Sequence, residues 1–180
     1  MIRDTLIRPA ERRDAWAIGR VYVESWRAAY QGILPADYLN GLQPDQTAFS
    51  VQRALHSPLM RCLVAENEQG LLGYASAGPA RGTDPLYSAE LYELYLIPEA
   101  QRQGLGRQLL SITAQQLHQL HHYTLTVQVL SRNPNRRFYE KCNGIYLHTR
   151  PITFAGRTLQ AAAYGWIDIT LAMQDDPGPA

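Results

Sequence analysis

The stretch Glu90-Leu-Tyr-Glu-Leu-Tyr-Leu-Ile-Pro-Glu-Ala-Gln-Arg-Gln-Gly-Leu-Gly-Arg-Gln-Leu-Leu110 reads as a strand, a tight basic turn with two glycines, and a helix opening near Gly106. Gly104 and Gly106 let the main chain approach a ligand, and the first turn of the following helix leaves amide N–H groups without helical acceptors. An anion suits such a turn. Arg102 and Arg107 flank it and Gln101 and Gln103 add neutral donors, so a pyrophosphate fits better than a lone carboxylate. The same turn also occurs in α/β proteins with no ligand, and two better-known phosphate loops fail on their residues. A Walker A loop needs Lys and Ser/Thr after its last glycine, where Arg107 and Gln108 stand, and a dinucleotide fingerprint needs a small residue at position 109, which is Leu.

Working outward, the strand begins near Tyr87 and the helix continues through Leu109, Leu110, Thr113, Leu117 and Leu120, whose three and four spacing gives it one apolar face. The β-branched run 123–130 follows at once, so the unit is strand, crossover helix, strand, and the two strands are parallel. Upstream, the runs 61–66 and 71–77 flank Asn67-Glu-Gln-Gly70 as a hairpin, and 79–85 is a loop of Gly, Pro and Asp. Before them, Trp16, Gly19, Val23, Trp26 and Tyr30 recur as one buried helical stripe over 14–30, Gly32 and Pro35 end that helix, and a second helical segment lies within 35–55. Downstream, Asn133 caps a short helix with Pro134 at its first position, and 146–154 and 158–169 form a closing hairpin about Gly156. The polar run 174–180 has no core to join, so the chain divides into one domain, 1–173, and a tail.

Composition narrows the partners. At 180 residues there is material for one core, and 17 basic against 16 acidic residues, net +1, make no case for nucleic acid or an anionic membrane. Cys62 and Cys142 have no metal-type spacing and read as reduced thiols of a cytoplasmic protein, with no metal. No apolar run reaches the roughly eighteen residues of a membrane span, and the first nine residues do not form a signal peptide. The histidines at 118, 121 and 122 sit at a helix end and read as solvated.

Gln101-Arg102-Gln103-Gly104-Leu105-Gly106 resembles the Gln/Arg-x-x-Gly-x-Gly/Ala signature of the GNAT superfamily of acetyl-CoA-dependent N-acyltransferases, and the strand ending Leu94-Tyr95-Leu96-Ile97-Pro98 matches what precedes it there. Asn133-Pro-Asn-Arg-Arg-Phe-Tyr-Glu-Lys-Cys142 is similar to the same superfamily's Asn-x-x-Ala-x-x-Phe-Tyr-Glu-Lys-x-Gly-Phe motif. Asn133 stands one position nearer Phe138-Tyr139 than the common spacing, so Asn133 or Asn135 takes the family asparagine's role, and the family's Gly-Phe has become Cys142-Asn-Gly-Ile145. Residues 25–35 with Tyr38-Leu39 resemble the first two helices of a bacterial branch, whose connecting loop covers the acceptor.

The resemblance implies an α+β fold in αβα layers: a mostly antiparallel sheet of about seven strands with one parallel, splayed pair, flanked by about four helices. It implies acetyl-CoA as co-substrate, with its pantetheine arm on the main chain of Leu94, Tyr95 and Leu96 and its pyrophosphate on the amides of Gln101, Arg102, Gln103, Gly104, Leu105, Gly106 and Arg107. The reaction it implies is transfer of acetyl to a primary amine of a small molecule or a peptide amino terminus. Tyr139 stands where the family places its general acid. Glu90 stands where some members carry a base, and Glu93 falls on the opposite face by strand alternation. Either could act through water, whereas Gln128 replaces the glutamate that other members use on the next strand. The rival expectation is a non-catalytic acyl-CoA-binding module on the same fold. Apolar positions in the closing hairpin leave room for a homodimer, and neither 30–38 nor 80–86 names the acceptor.

Overall fold

The computed structural model describes residues 5–82, 84–154 and 156–174. Strand β1 (Leu6–Pro9) lies at one sheet edge and leads through a single 3-10 turn into α1 (Ala15–Tyr30). Arg8 ties this corner together, bonding Asp14 at 2.6 Å and Glu66 of the neighbouring strand at 2.7 Å. Gly19, Val23, Trp26 and Tyr30 are buried along α1 as the spacing predicts, but Trp16 is 56% exposed. At 100° per residue Trp16 falls at the margin of the stripe, whose centre runs through Ala15, Ile18 and Trp26.

The segment expected to hold one helix holds two, α2 (Ala36–Gly41) and α3 (Pro44–Ala54). The break has a local cause: the residue before a proline avoids the helical region, and Leu42 and Gln43 are both extended. The described residues therefore contain five α-helices. Strands β2 (Arg61–Asn67) and β3 (Gly70–Pro79) form the expected hairpin, and β4 (Ala89–Leu96) starts two residues later than expected. Helix α4 (Leu105–Gln119) crosses to β5 (Leu125–Leu130), followed by α5 (Arg137–Lys141) and the closing hairpin β6 (Ile145–Phe154) and β7 (Arg157–Trp166). Asn133 does cap a turn, its Oδ1 accepting from Asn135 N–H at 2.8 Å, but regular α5 begins only at Arg137, not at Pro134.

The sheet has seven strands in the order β1-β2-β3-β4-β5-β7-β6, and only β4 and β5 are parallel. Helix α4 covers one face with Leu109, Leu110, Ala114 and Leu117 against Leu63, Leu91, Leu125 and Trp166. Each fully buried leucine there contributes about 2 kcal/mol. Leu120, expected on that face, follows the last helical residue and is exposed. Helices α1 and α3 cover the other face, with Ile18, Val21 and Val51 on Val64, Leu71 and Tyr74. A helix layer on each side of the sheet gives the αβα arrangement. No disulfide joins Cys62 and Cys142. No helix among the described residues is long and apolar enough to cross a membrane. The expected polar tail lies, from 175 onward, outside the described residues.

Candidate active site

Two irregularities in β4 build the site. The first is a split: β4 and β5 pair only at Ala89–Leu125, Glu90–Thr126 and Leu91–Val127, after which β4 stays with β3 and β5 with β7. Main-chain groups beyond Leu91 are thereby left without a strand partner on that side. Ile97 N–H donates to the Leu72 carbonyl at 2.9 Å, so alternate residues 95 and 97 turn their main chain to β3, and 94 and 96 turn theirs to the split. The Leu96 carbonyl is taken, accepting from Ser25 Oγ at 2.9 Å and Gln101 Nε2 at 3.1 Å. Of Leu94, Tyr95 and Leu96, it is Leu94, with the Leu96 N–H, that presents main-chain groups to the split.

The cradle lies where this edge ends. Arg102 (φ 61°) and Gly104 (φ 83°) both take the left-handed conformation, which folds the chain back sharply into α4. The helical ladder starts with Gln108 N–H donating to the Gly104 carbonyl at 3.1 Å, so the amides of Leu105 and Gly106 lie ahead of it at the positive end of the helix. Arg102 is exposed beside them. Gln101, Gln103 and Arg107 point their side chains elsewhere. Gln101 holds Leu96, Gln103 Nε2 donates to the Glu99 carbonyl, and the Arg107 guanidinium donates to the carbonyls of Lys141 and Gln174. An open strand edge leading to a left-handed turn and a helix N-terminus suits a ligand with an amide-bearing arm and a diphosphate.

Tyr139 is buried and held by its helix. Trp166 Nε1 donates to the Cys142 carbonyl at 2.7 Å, Gly144 N–H donates to the Tyr139 carbonyl at 2.8 Å, and the Tyr139 ring packs 5.8 Å from that of Tyr164. Burial first, and the Tyr30 phenol second, push its hydroxyl pKa above the ordinary tyrosine value. A phenol so placed keeps its proton at neutral pH. Asn133 spends both ends of its carboxamide inside the protein, donating from Nδ2 to Tyr30 Oη at 3.0 Å and accepting from Asn135 N–H. It thereby fixes the end of α1 to the β5–α5 connection.

The second irregularity is a bulge. Ser76 pairs with Glu93 and Ala77 with Leu91, so Tyr92 has no partner on β3. The extra residue resets the alternation and overturns the expectation that Glu90 and Glu93 face opposite ways. Leu91, Leu94 and Leu96 pack on the α4 side, while Glu90, Tyr92, Glu93 and Tyr95 turn to the α1 side. The two carboxyls differ in circumstance. Glu90 is 3% exposed and closed by Arg81, whose Nη2 lies 2.8 Å from its Oε1 and whose backbone N–H lies 3.0 Å from its Oε2. Glu93 accepts from Ser76 Oγ at 2.9 Å, and desolvation raises its pKa above the usual glutamate value, the Ser76 hydroxyl opposing.

Glu93 lines an open cleft of about 960 Å³ bounded by the sheet, by Tyr22 and Trp26 of α1, and by α3 with the segment that follows it. Its α1 side is aromatic: Trp26 packs on Tyr22 at 4.8 Å and on Phe154 at 5.5 Å, and Tyr22 meets Tyr95 edge-on at 5.6 Å, while Thr47, Ser50 and Ser57 line the α3 side. The Trp26 indole N–H is buried with no hydrogen-bond partner among the described residues. Trp26 is core, as its spacing predicts, and also cleft wall, which spacing does not reveal. Ser76, Arg81 and Phe154 were not legible as site residues, because they come from three separate loops and strands and carry no motif. The region thus holds a cleft-lining carboxyl with a raised pKa, Glu93, and a buried phenol packed on β7, Tyr139.

Residues 58–143 match the family model described as the acetyltransferase (GNAT) domain. The uncharacterized N-acetyltransferase YuaI of Bacillus subtilis (strain 168) is 36% identical over 165 residues, 91% of this chain and 94% of that protein. Among solved structures, a YncA acetyltransferase from Salmonella typhimurium with acetyl-CoA superposes with a TM-score of 0.68 at 23% identity, covering 98% of both chains. The PaiA N-acetyltransferase from Thermoplasma acidophilum with coenzyme A gives 0.67 at 20% identity, covering 88% of this chain and 98% of that one.

Proposed function

The chain belongs to the GNAT family of acetyl-CoA-dependent N-acetyltransferases, and from that premise we propose that it acetylates a primary amine held in the aromatic cleft, with Tyr139 as general acid and Glu93 as general base. The observation that carries this reading is the split itself, open beyond Leu91 and with the cleft of Glu93 on its α1 side.

Acetyl-CoA supplies the acetyl group as a thioester, already activated toward nitrogen. The amides of Leu105 and Gly106, with Arg102, hold its diphosphate, and the Leu94 main chain takes up its amide-bearing arm. An amine reaches the protein mostly as ammonium and must lose a proton before it can attack. Glu93 draws that proton through water, and its raised pKa brings it nearer to neutral pH, where such a base works best. Glu90 stays bound to Arg81 and shapes the cleft rather than the chemistry. Tyr139 gives its proton to the departing sulfur. The aromatic walls of Tyr22, Trp26, Tyr95 and Phe154 exclude water and seat the body of the acceptor.

The test is thiol release from acetyl-CoA in the presence of a panel of primary amines. Release above the amine-free rate with at least one of them, matched by N-acetylated product, is the expected result. Tight coenzyme binding with no amine-dependent release would instead favour the binding-module reading.

A further inference from the structure

Beside Glu90 and Tyr92, a recess of about 220 Å³ opens on the same face of the sheet, lined by Arg81, Gly82, Gln128 and Arg150 as well. It shares Arg81 and Tyr92 with the acceptor cleft and so continues it. Arg150 belongs to β6, two strands from Gln128, yet its Nη2 donates to Gln128 Oε1 at 2.6 Å. The strand between them explains how. Gln128 pairs with Ala163 and Arg150 with Ala161, so both alanines share the face of these two side chains and leave the arginine a low path across β7. Phe154, four residues along β6 on the same face, lines the cleft.

The charges are unequal. Arg81 is neutralised by Glu90, whereas among the described residues no carboxylate forms an ion pair with Arg150. A guanidinium braced on one edge by a neutral amide keeps its remaining N–H groups for a planar anion. A second ammonium, as in a polyamine, would meet that positive charge instead.

We infer that Arg150, steadied by Gln128, is the subsite for an anionic group on the acceptor, and that the acceptor is an amine carrying a carboxylate, an amino-acid-like compound. The inference rests on the acetyl-transfer reading above and names its substrate class. The amine enters toward Glu93, and the carboxylate lies against Arg150.

Calorimetric titration of the CoA-loaded protein with N-acetylphenylalanine and N-acetylphenylalaninamide, and with the matching methionine pair, tests it without turnover. The acids should bind about tenfold more tightly than the amides, as a charge-assisted contact at a partly solvated site gives. Arg150→Gln should erase that ratio, and Arg150→Lys should restore part of it through charge alone. Equal affinity for acid and amide, binding of neither, or a ratio unmoved in Arg150→Gln overturns the assignment. Selective binding of the acids with no amine-dependent thiol release would uphold the anion subsite and remove the acetyl-transfer reading.

Discussion

Glu90 and Glu93 share one face of β4 because Tyr92 bulges out of register between them. They nevertheless stand in different electrostatic surroundings, one closed by a guanidinium and one desolvated against a serine hydroxyl. Their substitutions should separate cleanly. Glu93→Gln should lower kcat/KM by about a hundredfold, the ordinary worth of a general base. In the wild type the acid limb of kcat/KM should lie above 4.5, because burial raises the carboxyl that must be ionised. Glu90→Gln should leave that limb in place and cost about 2 kcal/mol of stability by weakening the Arg81 contact. A pH–rate profile in which Glu90→Gln abolishes the acid limb would reverse the two roles.

The raised pKa of Glu93 also has a sign in stability. Folding favours the protonated carboxyl, so the associated stability is complete below 4.5 and is lost as pH rises through the folded value. Glu93→Gln stays neutral throughout. Its melting temperature should therefore gain on that of the wild type as pH rises from 4 to 7, and a difference that is flat or shrinks over that range would contradict the desolvation of Glu93.

Tyr139→Phe removes one oxygen from a ring whose packing on Phe138, Tyr164 and Trp166 stays intact. Coenzyme affinity should hold within about twofold, while kcat falls by about a hundredfold or more. Because burial lifts the phenol above its usual 10, wild-type activity should show no alkaline limb from Tyr139 below that pH. Wild-type turnover in the Phe variant would leave the departing sulfur to water.

What was legible in the sequence was local. The turn at 101–107, the β2–β3 hairpin and the helix after Asn133 are each specified by residues within one or two turns of each other, and all three form. The bulge was not read: strict alternation put Glu90 and Glu93 on opposite faces, and only the structure shows the extra residue. Glu-Leu-Tyr-Glu-Leu-Tyr repeats every three residues, and Leu91, Leu94 and Leu96 can share one face of a strand only if one extra residue sits between the first two. The recess at Arg150 could not be read in advance, since it depends on two alanines of another strand standing beneath one arginine.

The two glycines of the turn should respond in opposite ways to the same change. Gly104 has φ 83°, where a side chain is strained whatever the space around it, so Gly104→Ala should cost about 1–2 kcal/mol. At Gly106 an added Cβ would meet Leu96 and the Phe138 ring at 3.5 Å, an ordinary contact, inside the first turn of α4. Gly106→Ala should be neutral or gain up to about 1 kcal/mol from helix propensity. Denaturant midpoints of the two variants decide it, and an equal loss in both would mean that Gly106, too, is required by its backbone conformation.

Arg8 joins β1, β2 and the start of α1, the helix that carries Trp26 and Tyr30 to the cleft, through two carboxylates on a single guanidinium. Hydrogen bonding from Arg8 is the leading cause that lowers the pKa of both Asp14 and Glu66. For a lowered pKa, the stability is present above the unfolded values, 4.5 for Glu66 and 3.8 for Asp14, and is lost as pH falls through the lower folded ones. Arg8→Met leaves the little-exposed Asp14 without its cation and should cost about 3 kcal/mol at pH 7. The deficit should hold constant down to about 4.5 and then narrow, because once both carboxyls are protonated the arginine has no charge left to answer. Thermal melts of wild type and variant across pH 3 to 7 measure it, and a deficit unchanged at pH 3 would assign the loss to packing of the arginine's stem instead of to its charge.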